Sequence, residues 1–249
     1  MPQSGYGKIR IFEDFLAGED IVAATAVGRA FGDSGLRVIG QGSSDTDSGI
    51  TVGESDGLNG VGILTTTNED AHSIGLTTGK VFDVGKMGTI AMECRVQFPD
   101  LDTKAFYFGL TDANGDIVIL EGANLVAAGA SLTLTASDLC GFLLDSEATD
   151  DEDWIMVYKG GTATGETTIA NIDADDDAVA GEFQVLRLEV DTNGTARWYI
   201  DGVLKQTKTG AVSTSTDLAV MALLEYREGS GTEIQYAWID YIAIEANRD

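Results

Sequence analysis

Two runs of aspartate, "DDED" and "DADDD", hold the residues of this sequence best suited to bind a metal ion. The candidate ligands are Asp150, Asp151, Asp153, Asp173, Asp175 and Asp177. Calcium takes about six to eight oxygen ligands, which closely spaced carboxylates and neighbouring carbonyl groups supply. Neither run has the glycine and closing glutamate of an EF-hand loop. The runs are interpreted either as a calcium site or as solvated acidic loops, and no other cofactor is predicted.

Histidine and cysteine offer little chemistry. His72 is the only histidine and lies in the polar segment "TTTNEDAHSIG" without a nucleophile motif nearby, so a site built from several histidines is excluded. Cys94 and Cys140 lie among apolar residues and lack C-x-x-C spacing. We therefore predict two buried thiols rather than a disulfide or a metal site.

Glycoside cleavage would need a pair of carboxylates. A retaining glycosidase holds them about 5 Å apart, and they are commonly projected from alternate positions of one strand, but no Glu-x-Asp-x-Glu pattern occurs. We predict no catalytic residues and no enzyme activity. Trp154, Trp198, Trp238 and Tyr199 could stack on a sugar, but each lies in a strand pattern, and core packing is expected for at least two of the three tryptophans.

Composition predicts one domain of short strands. The chain has 249 residues, 43% of them hydrophobic, with 31 glycines and 2 prolines. The net charge of −26 argues against nucleic-acid binding, because such a surface repels phosphate. No apolar run approaches the length of about 18 residues that spans a membrane, and "MPQSGYGKIRIF" lacks the order of a signal peptide. A soluble protein made in the cytoplasm is predicted.

Several segments alternate with the period of a strand. In "TIAMECRVQF" one face holds Ile90, Met92, Cys94, Val96 and Phe98. "FYFGLTDANGDIVIL" predicts a hairpin that turns at Asn114-Gly115. "VLRLEV", "ARWYI" and "VLKQT", separated by "DTNG" and Asp201-Gly202, predict an antiparallel meander. "IQYAWIDYIAIEA" is apolar on both faces, which predicts a strand buried near the centre of a sheet.

The order of these segments is similar to that of a family of tailed-phage structural proteins. The likeness covers nearly the whole chain and rests on "FEDFLAG", "GILTTTNEDAHSIGL", "MECRVQFPDLDTKAFYFGLTD", "DLCGFLLDS", "WIMVYKGG", "LRLEVDTNGTARWYIDGVL" and "YIAIEA". The resemblance implies an all-β fold: a single concanavalin-like or LamG-like jelly-roll β-sandwich of two antiparallel sheets. Cys94, Phe108, Leu188, Trp198 and Ile200 are then expected to face its core.

The same resemblance implies a role in a virion. We expect a capsid decoration or cement protein on the outer head surface, docked on the major capsid protein as a symmetric homo-oligomer, with a trimer as the first hypothesis. Neither nucleic acid nor membrane is an expected partner. A glycan-binding, lectin-like adhesion module of a virion or tail is the alternative, and a glycoside hydrolase is the remote one.

The N-terminal segment, residues 1–24, is interpreted separately from the sandwich of residues 25–249. "KIRIFEDF" alternates as a strand, and a short helix within "IRIFEDFLAGEDIVAATAVGRAF" is the alternative. Lys8, Arg10 and Phe12 are the candidate docking residues, because two cations stand out in an acidic chain and an edge strand can pair with a neighbour. Folding back onto its own sandwich is the alternative for this segment.

Overall fold

Two antiparallel sheets dominate the computed structural model, which describes residues 7–16, 21–22, 28–41, 48–53, 60–227 and 234–248. Within those ranges each large sheet has nine strands, and a separate hairpin has two. The complete helical elements in this part of the chain are a π-helical turn, Leu120–Asn124, and a 3-10 turn, Ile169–Asn171. The predicted all-β fold is confirmed.

Sheet A contains the two strands nearest the ends of the described chain. Its strands are β1 (Lys8–Glu13), β2 (Ile21–Val22), β5 (Gly49–Gly53), β6 (Val61–Thr65), β9 (Ile90–Gln97), β16 (Gln184–Val190), β17 (Ala196–Ile200), β18 (Val203–Lys208) and β20 (Tyr236–Asn247). They follow the order β18-β17-β16-β9-β20-β6-β5-β2. β20 lies near the centre, with β9 on one side and with β6 and β1 sharing its other side.

Sheet B packs against sheet A. Its strands are β3 (Ala30–Phe31), β4 (Leu36–Ile39), β7 (Ser73–Thr77), β8 (Phe82–Asp83), β10 (Lys104–Thr111), β13 (Leu139–Asp145), β14 (Asp153–Lys159), β15 (Asp173–Asp177) and β19 (Asp217–Tyr226). They follow the order β15-β14-β13-β10-β19-β7-β4-β3, with β8 paired to β19. The remaining hairpin joins β11 (Leu125–Ala128) to β12 (Ser131–Leu134).

The predicted meander forms β16, β17 and β18 in consecutive antiparallel register. Asp201 and Gly202 both have positive φ, 49° and 79°, as a two-residue turn of type I′ requires. This turn lets β18 return along β17 with the right-handed twist of the sheet.

The core lies between the two sheets. Its predicted members Cys94, Phe108, Leu188, Trp198 and Ile200 are all buried. The ring of Trp198 lies 6.2 Å from that of Tyr158, and its Nε1 donates a hydrogen bond of 2.8 Å to the carbonyl of Gly141 in sheet B. Trp198 therefore joins the two sheets by packing and by a satisfied polar contact.

Sheet B is buried on both faces. Its central strands β10, β13 and β19 have buried residues at nearly every position, because residues 112–136, which we call the cover segment, lie over the face that points away from sheet A. Several hydrogen bonds fix this segment, among them one of 2.6 Å from Ser73 Oγ to the carbonyl of Val118 and those from the N–H groups of Leu120 and Ala127 to the carboxylates of Glu225 and Asp145.

The predicted hairpin at Asn114-Gly115 is wrong. β10 pairs with β13 and β19, and the following "DIVIL" run enters the cover segment instead of returning beside β10. Asn114 is buried, and its Nδ2 donates to the carbonyl of Thr78 at 3.2 Å. Tertiary contacts with sheet B thus replace the local turn that the dipeptide favours.

No helix in the described ranges is long and apolar enough to cross a membrane.

We expect Trp198→Ala to lower the free energy of unfolding by about 3–5 kcal/mol, because it empties a fully packed aromatic site. The partly exposed Trp238 on the outer face of sheet A is the matched control, and its replacement by alanine should cost much less. Urea titration of both variants measures the difference. A loss below about 1 kcal/mol for Trp198→Ala would contradict its place in the core.

Candidate functional site

Three of the six predicted metal ligands meet at one end of sheet B. Asp153 begins β14 and pairs in register with Asp177 at the end of β15, while Asp150 lies in the preceding loop. Carboxylate oxygens of these three residues all lie within 4.8 Å of one another, and Asp153 is buried whereas the other two are exposed. Three such oxygens are suitable ligands for a hard cation such as calcium.

The other acidic candidates behave differently. Asp173 to Asp177 were expected in a loop but form the edge strand β15. Asp173 pairs with Ile155 and hydrogen-bonds to Asp153, whereas Asp151 and Asp175 are exposed and stand outside the group of three carboxylates.

Asp153 is the titratable centre of this acidic cluster. Burial first, and then hydrogen bonds with Asp177 and Asp173 and the charges of Asp173 and Asp150, together raise the pKa of its carboxyl to about 7. Its Oδ1 also accepts a hydrogen bond of 3.2 Å from the N–H of Asp176. Near neutral pH the cluster therefore balances its charge by holding a proton, or by binding a cation.

His72 contacts Thr67 and Glu69 through one ring nitrogen. Thr67 Oγ1 and Glu69 Oε2 both lie near the same ring nitrogen, Nδ1, at 3.0 Å and 3.2 Å. A relay needs the nucleophile and the orienting carboxylate on opposite ring nitrogens. This arrangement of Thr67 and Glu69 is therefore a local contact.

A second group of carboxylates lies beneath the cover segment. Glu225 and Asp145 are buried, both pair in register with Ala105, and both contact Arg227. Burial raises the pKa of Glu225 to about 8 and also raises the pKa of Asp145. Because each carboxylate accepts a hydrogen bond from a backbone N–H of the cover segment, Glu225 and Asp145 together hold that segment in place.

The outer face of sheet A is the large sheet face that the described residues leave open. A hydrogen-bonded row of side chains crosses β20, β9, β16 and β17: Tyr241 donates to Glu93 at 2.6 Å, Arg187 donates to Glu93 at 3.2 Å and to Glu189 at 2.7 Å, and Tyr199 donates to Glu189 at 3.5 Å. Burial and the hydrogen bond to Glu93 raise the pKa of Tyr241. The tyrosine therefore remains a neutral donor.

A groove of about 420 Å³ lies beside this row. The small side chains of Ala91 and Ala243 leave it open between larger neighbours. Those neighbours are Arg10, Phe12, Glu93, Arg187 and Glu245.

An aromatic depression of about 550 Å³ lies on the same face at the start of β20. Trp238 and Tyr236 are half-buried there, and the other lining residues are Thr51, Ile63, Thr65 and Pro99. Asp240, further along β20, binds Arg95 at 2.6 Å, and the Arg95 guanidinium lies 4.3 Å above the ring centre of Phe183. Apolar rings and charged groups thus alternate across this face.

The three candidate docking residues lie beside the groove. β1 folds back onto β20, where Lys8 and Arg10 both contact Glu245, at 3.5 Å and 3.4 Å. Phe12 stacks on Tyr241 with 6.1 Å between ring centres and remains 60% exposed. Their docking to another protein stays a prediction.

Sequence reasoning missed Tyr236, Tyr241 and Ala243. The segment "IQYAWIDYIAIEA" reads as apolar on both faces, but the register against β9 shifts between Ile239 and Tyr241. The extra residue of this bulge places Asp240 and Tyr241 both in half-exposed positions and reverses the alternation beyond it. The alternation of Tyr236 and Trp238 with buried neighbours was the available signal.

The stability of the protein should fall as the pH rises between about 4 and about 7, through Asp153. Its carboxyl titrates near 3.8 when unfolded and near 7 when folded, so the folded state binds more protons between these values. Asp153→Asn removes this pH-dependent loss of stability. We expect the free energy of unfolding of the variant to exceed that of the wild type by about 1–3 kcal/mol at about pH 8, and this difference to decrease toward about pH 5. Urea titration at both pH values measures it.

Asp151→Asn is the control, because Asp151 is exposed and outside the cluster. Calcium bound at the cluster would raise the urea midpoint of the wild type and of this control at about pH 8 but not that of Asp153→Asn. An equal response of all three proteins would contradict binding there.

No protein-family model matches the chain, and comparison of its sequence with curated proteins finds no match. Solved structures do share its fold. The carbohydrate recognition domain of Emp47p has a TM-score of 0.56 at 10% identity, over 96% of this chain and 98% of that one. A glycoside hydrolase family 16 endo-glucanase from Bacteroides ovatus has a TM-score of 0.51 at 16% identity, over 94% and 98%.

A third structure of this kind is encoded by a phage. It is described as a conserved carbohydrate esterase from the Shiga toxin-encoding bacteriophage phi24B, with a TM-score of 0.50 at 15% identity over 95% of this chain and 100% of that one. At such identities the likeness concerns the fold alone. The chain has the concanavalin-like jelly-roll fold of carbohydrate recognition domains and family 16 glycoside hydrolases.

Proposed function

We propose that this protein is a glycan-binding module that holds its ligand on the outer face of sheet A. The observation that carries the proposal is the half-exposed pair Tyr236 and Trp238 in an open depression, on the same face as a row of hydrogen-bonding side chains. An aromatic ring stacks on the apolar C–H face of a sugar, and charged groups bind its hydroxyls strongly.

The choice of this face follows from burial. The corresponding face of sheet B lies under the cover segment, and its carboxylates Asp145 and Glu225 are occupied by backbone N–H groups. Trp154 and Trp198 are fully buried, so Trp238 is the tryptophan that a ligand can reach. The fold shared with carbohydrate recognition domains supports the same choice of ligand class.

We also propose that binding occurs without cleavage. Hydrolases and a protein described as an esterase share this fold. The described carboxyl groups with a raised pKa lie away from the proposed face: Asp145, Glu147 and Glu225 contact Arg227 on the covered side of sheet B, and Asp153 lies at the end of sheet B.

A virion remains the proposed setting. The resemblance to tailed-phage structural proteins supports a decoration protein on the outer capsid surface, bound to the major capsid protein as a homo-oligomer, and a phage-encoded protein of the same fold is consistent with it. Lys8, Arg10 and Phe12 are the proposed contacts. A reconstruction of the particle that contains this chain tests the setting: knobs over the capsid lattice are expected, whereas density only in the tail, or none, would exclude decoration.

We expect the purified protein to be retained on a glycan array, and Trp238→Ala to weaken binding by about tenfold or more through loss of the stacking surface. Leu204→Ala is the matched control, because Leu204 is also exposed in sheet A but lies on the edge strand β18. Equal binding by both variants would place the ligand elsewhere, and no retention on any glycan would refute the proposed function.

Incubation with β-glucans, agars, carrageenans and alginates should release no reducing ends, because the proposed face holds its charges in ion pairs. A reducing-sugar assay measures this. Turnover that one aspartate or glutamate substitution abolishes would overturn the non-enzymatic proposal.

A further inference from the structure

The groove and the aromatic depression lie along the same strand. Trp238 lines the depression, and Ala243 and Glu245 line the groove. At about 3.3 Å per residue, the distance from Trp238 to Glu245 is about 20 Å, allowing for the bulge. Tyr241, stacked with Phe12, stands between the two hollows. A ligand that fills both must therefore be an extended chain.

The charges of this face are already paired. Arg10 contacts Glu245, Arg95 contacts Asp240, and Arg187 contacts Glu93 and Glu189. A sulfate or carboxylate on the ligand would have to displace a neighbouring carboxylate from its arginine in a protein of net charge −26. Hydroxyl groups, by contrast, can both donate to the carboxylates and accept from the guanidinium groups without breaking the pairs.

We infer that the ligand is an extended, uncharged glycan that lies along β20 and occupies both hollows, an inference that rests on the proposed function. Trp238 stacks on a sugar face in the depression, and Phe12 stacks on another beside the groove. The ion pairs along this face bind its hydroxyls and exclude anionic polysaccharides. The outer face of sheet A thus selects glycans that are both long and uncharged.

Ala243→Phe tests the inference, because a benzyl group at this position fills the groove without touching Trp238. Thr207→Phe adds the same bulk at an exposed position of β18 and is the control. Circular dichroism and the thermal unfolding midpoint establish that both variants fold. The ligands are short and long oligosaccharides of a neutral β-glucan, with alginate and carrageenan oligosaccharides as anionic probes, measured by calorimetry at low and high salt.

We expect the long neutral oligosaccharide to bind about tenfold or more tightly than the short one, with little dependence on salt. Ala243→Phe should abolish this advantage of length, and Thr207→Phe should retain it. Tighter binding of alginate or carrageenan, or an Ala243→Phe variant that still prefers the long oligosaccharide, would overturn the inference while leaving glycan binding intact. Absence of binding to every probe would instead refute the proposed function.

Discussion

One buried guanidinium fixes the layered arrangement of this protein. Arg227, which is 1% exposed, contacts Asp145 at 3.2 Å and Glu225 at 3.5 Å in sheet B, and also Glu121 of the cover segment and Glu147. Such a buried cation is tolerated only when carboxylates surround it, and removing it would leave two buried carboxylates unpaired. The arginine therefore binds the cover segment to the end of sheet B at which β13 and β19 finish.

This constraint decides where the protein can meet a ligand. With one face of sheet B against sheet A and the other under the cover segment, the open surface with both rings and hydrogen-bonding groups is the outer face of sheet A. The same network explains why raised carboxyl pKa values, often a sign of catalysis, accompany a structural role at Glu225. The glycan-binding proposal thus depends on burial as much as on the aromatic residues themselves.

The sequence predicts strands well where alternation is regular. β9 and the β16–β18 meander follow the pattern of their residues, because one face is apolar and the turns contain residues that accept positive φ. Prediction from the sequence fails where contacts between residues far apart in the chain override the conformation that the local residues favour. Asn114 is held by Thr78 instead of forming a hairpin, and β15 forms from an acidic run because β14 offers it a partner.

The candidate site was partly predictable for the same reason. Three aspartates of the two acidic runs do converge, because β14 and β15 are neighbouring strands. Which three converge depends on the pairing register of β14 with β15, which the spacing of the aspartates in the sequence does not determine. Trp238 was recognised as a sugar-stacking candidate, whereas Tyr241 and Ala243 required knowledge of the bulge in β20. A single inserted residue changes which side chains a ligand can reach.

Strand β1 forms one wall of the groove, and among the described strands it pairs with β20 alone. A strand paired on one side opens more readily than the centre of a sheet, and any fraction of molecules in which β1 is open lacks this wall. The apparent affinity for the glycan is reduced in proportion to that fraction. A bound glycan in turn shifts the equilibrium toward the form in which β1 is paired with β20. Amide hydrogens of Ile9 to Glu13 would then exchange more slowly when the groove is filled, which makes the first strand of the sandwich a reporter of occupancy.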